Sequence, residues 1–318
     1  MAFKPFFSIV TPSLNQGAYI EETIRSVADQ GYPDFEHIVV DGGSTDGTLD
    51  VLRKHPHLRW TSEPDSGRTE AVNKGFSRAR GQIIGWLSSD DCYAPGVFNA
   101  VAAFFEANPD CAALIGRAEV VDGEGRRLFI QEEPAPEGFT RKGIIRFWKH
   151  GTLPQPSLFF RKKALEEVGL LDESLKSYMD FDFMIRLAGR FAIHRREEVF
   201  SRIRLHLDAG SVVDIAEGTL VPQLARISRR HWGKGAEFYS HALSYAVYWP
   251  QMRWRSHYQA FAFRARAALG GLADEKPSFR QLIRSLPLFP RYPAAYVAVG
   301  VKRVLRRLGV LGENRRLS

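Results

Sequence analysis

The stretch "IIGWLSSDDCYAPG", Ile83 to Gly96, decides how the chain is read. Ile83, Ile84, Trp86 and Leu87 form a nearly continuous apolar run, the texture of a strand buried on both faces of a parallel sheet. The run stops at Ser88 and Ser89, and two bare carboxylates, Asp90 and Asp91, follow at once. In open α/β sheets ligands settle just beyond the carboxyl ends of the strands. Two adjacent acids there repel each other unless something positive lies between them, and a divalent cation is the obvious candidate.

Outward from this strand the first half alternates β and α patterns. "FFSIVTP", "FEHIVVDGG" and "LRWTSEP" read as strands. "AYIEETIRSVADQG" reads as a helix with Ile20, Ile24 and Val27 on one face and Gly31 as its stop. Thr45 or Asp46 is suited to cap the short helix "TLDVLRKH", and "TEAVNKGFSRARG" is a further helix. Repeated β-α units of this length argue for a mostly parallel central sheet flanked by helices. Downstream, "APGVFNAVAAFFEANPD" is helical, and "CAALIGRAEVVDGEGRRLFI" has a hairpin tip at Asp122–Gly125, hence an antiparallel addition. "TLPQPSLFFRKKALEEVGLLDESL" reads as loop, strand, helix and turn. "SYMDFDFMIRLAGRF" is an amphipathic helix with Asp180 and Asp182 in its first turn, and "FAIHRREEVFSRIRLH" supplies one or two closing strands.

The chain has 318 residues, 44% of them apolar, enough for one large domain or a domain plus an appendage. No uncharged apolar run approaches the ~20 residues of a spanning helix. The opening "MAFKPFFSIVTPSLN" does not read as a secretory leader. Two cysteines, Cys92 and Cys111, give neither a disulfide framework nor a zinc spacing, so a cytoplasmic setting is expected. Residues 1–205 carry 26 Lys+Arg against 29 Asp+Glu, whereas residues 206–318 carry 18 against 7. The expected organisation is therefore a domain over 1–205, with halves at about 1–115 and 116–205, followed by a basic helical region over 206–318.

Four polar sites fall at strand ends or a helix start: "TPSLN" (Thr11 to Asn15), "DGGSTDGT" (Asp41 to Thr48), "SSDD" (Ser88 to Asp91), and Asp180 with Asp182. Each alone has a plain reading as a cap, a turn or a dipole-stabilising acid. The second is no EF-hand, because Leu52 stands where the bidentate Glu belongs, and it contains neither a dinucleotide fingerprint nor a P-loop. The missing glycine fingerprint disfavours a nicotinamide dehydrogenase. Together, the loops of the first, second and fourth strands converge on one crevice, and a crevice so acidic calls for Mg2+ or Mn2+ with phosphate oxygens.

The order and spacing resemble the family-2 glycosyltransferases of the GT-A fold over roughly residues 5 to 210. "FSIVTPSLNQGAYIEETIRSVADQGYPDFEHIVVDGGSTDGT", "GRTEAVNKGFSRARGQIIGWLSSDD" and "QPSLFFRKKALEEVGLLDESLKSYMDFDFMIRLA" carry the resemblance. It implies an inverting, metal-dependent transferase that moves a sugar from a nucleotide-diphosphate donor, a UDP-sugar by expectation. The acceptor is a hydroxyl of a glycan or glycolipid in surface-polysaccharide assembly. It places Thr11 and Asp41 on the base and ribose, helped by Ser13 or Asn15. Asp91 becomes the metal ligand, Asp90 a ribose or metal-water contact, and Asp180 the base that deprotonates the acceptor, with Asp182 structural. Ser88 and Met179 stand where relatives often carry acids, which keeps open a catalytically silent nucleotide-sugar binder. His206 stands where relatives place a metal-facing His. Arg68 has the fork geometry to pair with a diphosphate, or else is a solvated helix-start residue. Gln155 is placed on the acceptor side.

Beyond residue 205, "GTLVPQLARISRRHWG" and "AEFYSHALSYAVYWPQMRWRSHYQAFAFRARAALGG" are helical, aromatic-rich and basic, with a kink expected at Pro250. Tyr296–Leu311 is amphipathic, with Lys302, Arg303, Arg306 and Arg307 on its polar face. Packing on the first domain, with a peripheral contact on the inner membrane face, is expected ahead of nucleic-acid binding, for which no recognition motif is present.

Overall fold

A computed structural model describes residues 5–131, 134–206, 209–249 and 252. Nine strands are described: β1 (Phe7–Ser13), β2 (Phe35–Asp41), β3 (Leu58–Ser62), β4 (Ile83–Trp86), β5 (Cys92–Tyr93), β6 (Ala113–Val121), β7 (Arg127–Ile130), β8 (Leu158–Arg161) and β9 (Ile193–Arg204). The helices are α1 (Ile20–Ala28), α2 (Thr48–Arg53), α3 (Arg68–Arg78), α4 (Val97–Ala107), α5 (Arg141–Ile145), α6 (Phe147–His150), α7 (Lys162–Val168), α8 (Met179–Arg190), α9 (Gly210–Glu217) and α10 (Leu220–Arg230). Residues 235–249 are helical as well. The chain divides into two compact units, residues 1–212 with 222–249, and residues 213–221 with 250–318.

In the first unit the strands form one sheet in the order β3-β2-β1-β4-β8-β6-β9-β5, with β7 beside β6. The four strands β3-β2-β1-β4 are all parallel, as the alternating β-α pattern predicts. Beyond β4 the sheet is mixed: β8 is antiparallel to β4 and β6, while β9 runs parallel to β6. The hairpin expected at Asp122–Gly125 is present between β6 and β7. The closing segment is one long strand, β9. It also takes β5 as an antiparallel partner, where the sequence read only a turn. Two residues are too few to show periodicity.

The two sheet faces carry separate cores. Under α1 and α4, Phe7, Ile9, Val27, Phe98, Phe105 and Phe159 are buried together, with Phe7 and Phe98 stacked at 4.6 Å. Under α3 and α8, Phe76, Phe160 and Phe183 meet edge-on or tilted, and Trp86 meets Phe76 edge-on. Strand alternation sorts Ile83 and Leu87 to the first face, and Ile84 and Trp86 to the second. Gly75 lets α3 press against β1, since a side chain there would run into Val10. Helix α1 buries Ile20, Thr23, Ile24 and Val27 and ends at Ala28 with Asp29 as its cap, two residues before Gly31, the expected stop, at φ +65°. The cap of α2 is Gly47, not Thr45 or Asp46, although Asp46 Oδ1 does accept the Thr48 N–H at 2.9 Å.

Part of the basic region packs within the first unit. Ser228 Oγ donates to the Ile145 carbonyl at 2.9 Å, Arg141 pairs with Glu237 at 2.6 Å, and Trp148, Trp232 and Tyr245 cluster by their edges. In the second unit Thr219 Oγ1 donates to Asp214 Oδ1 at 2.6 Å. The expected kink at Pro250 and the amphipathic segment Tyr296–Leu311 lie outside the described residues. Among the described residues no helix is long and apolar enough to cross a membrane.

Candidate active site

Because β2, β1 and β4 are neighbours and parallel, Asp41, Ser13 and the Ser88–Asp91 turn leave the sheet at the same edge. The loops after β1 and β2 are stitched together. Asn15, held at φ 53°, accepts the Thr45 N–H on Oδ1 at 2.9 Å, and its own N–H donates to Ser44 Oγ at 2.7 Å. Asn tolerates this left-handed geometry better than most residues. Asp41 is fully buried. It accepts the Gly43 and Ser44 N–H groups at 3.1 and 2.9 Å and the Ser44 and Ser62 hydroxyls at 2.5 and 2.6 Å. Four donors saturate a carboxylate, so in this state Asp41 shapes the loop. Thr11 is also fully buried, and its hydroxyl shares a 2.9 Å hydrogen bond with His37 Nε2. Burial holds the His37 pKa down to about 3, so that ring is neutral. Ser13 Oγ, by contrast, is buried and has no hydrogen-bond partner among the described residues.

The acidic turn is anchored from two sides. Asp91 is buried, its Oδ1 accepts the Arg204 backbone N–H at 3.0 Å, and its carbonyl accepts the Thr23 hydroxyl at 2.8 Å. Burial, and then the neighbouring charge of Asp90, push the Asp91 pKa well above the ordinary value, while Arg204 and Arg68 pull it down. His206 is buried beside the pair. Its Nε2 lies 3.1 Å from Asp90 Oδ2, its ring packs on Tyr19 at 4.6 Å, and its Nδ1 has no hydrogen-bond partner among the described residues. The structure thus joins His206 to Asp90, the acid expected on the ribose, and leaves Asp91 to Arg204.

This donor set fits a hard divalent cation. A carboxylate in a desolvated acidic pair and an imidazole with an open nitrogen lie at one sheet edge. Among the described residues no three His, Cys, Asp or Glu side chains come together as a metal cluster. A cation there would complete its shell with phosphate oxygens and water, as Mg2+ does.

Asp180 lies in the first turn of α8, half-buried, behind Tyr178 at φ 59°. Burial raises its pKa, while backbone N–H groups of its own helix turn and the Arg68 charge act the other way. Arg68, the first residue of α3, is therefore close enough to influence both Asp91 and Asp180. Asp182, two residues on, faces elsewhere. It is buried, pairs with Arg186 at 2.8 Å and meets His231 Nε2 at 2.7 Å. Burial would raise its pKa, but these two hydrogen bonds outweigh burial and lower it. Gln155 Nε2 donates to the Trp86 carbonyl at 2.5 Å, which fixes Gln155 to the end of β4. The contributions of Tyr19 and Arg204 were not foreseen from sequence.

Solved structures sharing the fold include S. aureus TarS 1-349 in complex with UDP-GlcNAc (TM-score 0.56, 20% identity, 94% of this chain and 82% of that one). Another is the Pyrobaculum calidifontis mannosyltransferase PcManGT in complex with GDP-Man and Mn2+ (TM-score 0.58, 20% identity, 97% and 87%). The mixed sheet with its parallel half is the GT-A glycosyltransferase fold.

The chain belongs to glycosyl transferase family 2, whose family model matches residues 8–169. It is similar to the putative teichuronic acid biosynthesis glycosyltransferase TuaG of Bacillus subtilis, 43% identical over 151 residues, covering 45% of this chain and 58% of that protein. It is also similar to the O-antigen biosynthesis protein RfbC of Myxococcus xanthus, 30% identical over 196 residues, covering 58% of this chain and 14% of that protein. The chain thus spans less than two thirds of the length of either relative.

Proposed function

We propose that the protein is an inverting glycosyltransferase. It takes a sugar from a nucleotide-diphosphate donor, a UDP-sugar in our reading, and passes it to a hydroxyl of a glycan or lipid-linked acceptor in surface-polysaccharide synthesis. What supports this reading is the common sheet edge at which β1, β2 and β4 release the Ser13, Asp41 and Ser88–Asp91 turns, with the Arg68 charge acting on both Asp91 and Asp180. One guanidinium influences both carboxylates, and both are held by burial in an upward-shifted range.

Each residue has a defined task. Asp180 accepts the proton of the acceptor hydroxyl while that oxygen bonds to the anomeric carbon. The bond from that carbon to the diphosphate breaks on the opposite face, and its electron pair leaves with the diphosphate. Base catalysis of this kind contributes typically ~10²–10⁴-fold. Arg68 offers two parallel donors to the departing phosphates. Ser13, with its unpartnered buried hydroxyl, and Asn15 meet the nucleoside, while Asp41 and Thr11 keep that loop in shape from below. Gln155 borders the acceptor side. Asp91 and His206 would hold Mg2+ or Mn2+, which when bound neutralises charge on the diphosphate.

A lipid-linked acceptor would bring the enzyme to a membrane surface. Tyr239, Leu243 and Val247, spaced four apart on helical residues 235–249, are 71%, 70% and 61% exposed, an apolar stripe that supports a peripheral contact. Flotation with anionic vesicles, comparing wild type with Leu243→Glu, tests this; equal flotation of the two rejects the stripe as a contact. The activity itself is tested by melting the protein against a panel of UDP- and GDP-sugars, with and without Mn2+, alongside slow donor hydrolysis. No nucleotide-dependent shift and no hydrolysis would sink the reading. Binding with hydrolysis that Asp180→Asn does not slow would instead identify a silent binder.

A further inference from the structure

Arg204 ties together more of this site than any acid in it. Its side chain is 4% exposed, and each of its three guanidinium nitrogens donates to a named acceptor. Nε donates to the Asp90 carbonyl at 3.1 Å, Nη1 to the carbonyls of Gly123 at 2.9 Å and Asp122 at 3.5 Å, and Nη2 to the Glu22 carboxylate. Its backbone N–H takes Asp91 Oδ1, and its guanidinium lies over the Tyr19 ring, 5.2 Å from the centroid. His206, two residues beyond the end of β9, lies against the same ring. Tyr19 and Glu22 are one helical turn apart at the start of α1, so α1 grips both Arg204 and His206.

We propose that Arg204 is a positioning residue for the cation ligands. It fixes the Asp90–Asp91 turn from behind, sets the Asp91 carboxylate through the backbone of its own strand, and shares with His206 the aromatic platform of Tyr19. This rests on the reading of the site as a cation-dependent transferase. The alternative is that Arg204 only glues α1 to the β6–β7 tip, and the two roles differ in what they move. Loss of glue lowers the fraction of folded protein, whereas loss of positioning weakens the cation without lowering the number of sites. Outer partners of metal ligands typically account for 10- to 100-fold in metal affinity. A Lys keeps the charge but not the planar fork.

The experiment is a titration of Mn2+ followed by its paramagnetic resonance signal, at saturating UDP, on wild type, Arg204→Lys, Arg204→Met and Glu22→Gln. Thermal melting and cation-free UDP binding are measured on each protein. Arg204→Met is expected to weaken Mn2+ by roughly 10- to 100-fold at unchanged stoichiometry, with Arg204→Lys intermediate and cation-free UDP binding changed less than about threefold. An unchanged Mn2+ affinity in folded Arg204→Met, or a drop in stoichiometry alone, overturns the proposal. If Arg204→Met does not fold, Glu22→Gln decides: weaker Mn2+ at an unchanged melting temperature supports positioning, and unaltered Mn2+ refutes it. A wild type that binds UDP but no Mn2+ removes the cation-dependent reading itself, a result distinct from any of these.

Discussion

Asn73 and Leu171, 98 residues apart in the chain, are joined by a pair of hydrogen bonds. Asn73 Oδ1 accepts the Leu171 N–H at 2.9 Å, and Nδ2 donates to the Leu171 carbonyl at 3.0 Å. A side-chain amide here imitates the edge of a strand. Thr69, one turn earlier on α3, adds a bond from its hydroxyl to the Leu175 carbonyl at 2.7 Å. Helix α3 therefore clasps the segment that leads into α8, and so sets where Asp180 stands relative to Arg68 on the same helix.

Asn73→Ala leaves both backbone groups of Leu171 without that partner. A loss of about 1–3 kcal/mol is expected, the usual cost of stranded buried groups, read from the urea midpoint at constant slope. Turnover should fall further than nucleotide affinity, because the clasp bears on Asp180 more than on the β1 and β2 loops.

Asp180→Asn is expected to cut turnover by ~10²–10⁴-fold and spare nucleotide binding, checked by hydrolysis against UDP titration. The pH dependence follows from the direction of the shift. Burial raises the Asp180 pKa above 3.8, so in the window between the unfolded and folded values the native state binds the extra proton. Stability then falls as pH rises through that window. At neutral pH Asp180→Asn should melt no lower than wild type, and its advantage should fade as the pH drops below the folded pKa. The acid limb of the turnover profile lies above the ordinary aspartate range for the same reason.

Asp182 behaves in the opposite sense. Its pKa is lowered, so its contribution to stability is full above the unfolded pKa and is lost as pH falls toward the folded one. Asp182→Ala removes the acceptor of His231 and one acceptor of Arg186, which keeps the Val168, Gly169 and Leu170 carbonyls, and is expected to cost about 1–3 kcal/mol at neutral pH. Denaturant melts at neutral and acid pH, compared between variant and wild type, should show the gap closing in acid.

Much of this architecture could be read in advance, and the reasons are local. The parallel half announces itself through β-α repeats, and the edge at which its loops meet follows from strand order alone. Asp180 and Asp182 were separable by the resemblance, and their surroundings separate them physically. What escaped reading depends on distant partners. Thr11 looks like an open hydroxyl until His37 is seen across the neighbouring strand. Asp41 looks like a free carboxylate until Ser44 and Ser62 close around it. Arg204 carries no local signature of burial, since its acceptors come from α1, the acidic turn and the β6–β7 tip.

Gly75→Ala tests the packing side of the same logic. An added methyl would press on Val10 in the central strand, and overpacking of this kind costs about 1–3 kcal/mol. Calorimetric melting should register it. An unchanged melting temperature would mean that α3 can lift off β1 freely.

Between the pairs Ala113↔Ile193 and Ala118↔Ser201, β6 advances five residues while β9 advances eight. The surplus of three is odd, and side chains alternate sides along a strand, so the irregular stretch decides which side of the sheet Arg204 occupies. Taking out one residue between Arg195 and Ser201, with no adjustment of the irregular stretch, would turn Arg204 away from α1 and the acidic turn, and would turn Phe200 and Ser201 out of the core with it. The irregular stretch of β9 thus sets two things at once, the seat of Arg204 behind the acidic turn and the seat of Phe200 in the core.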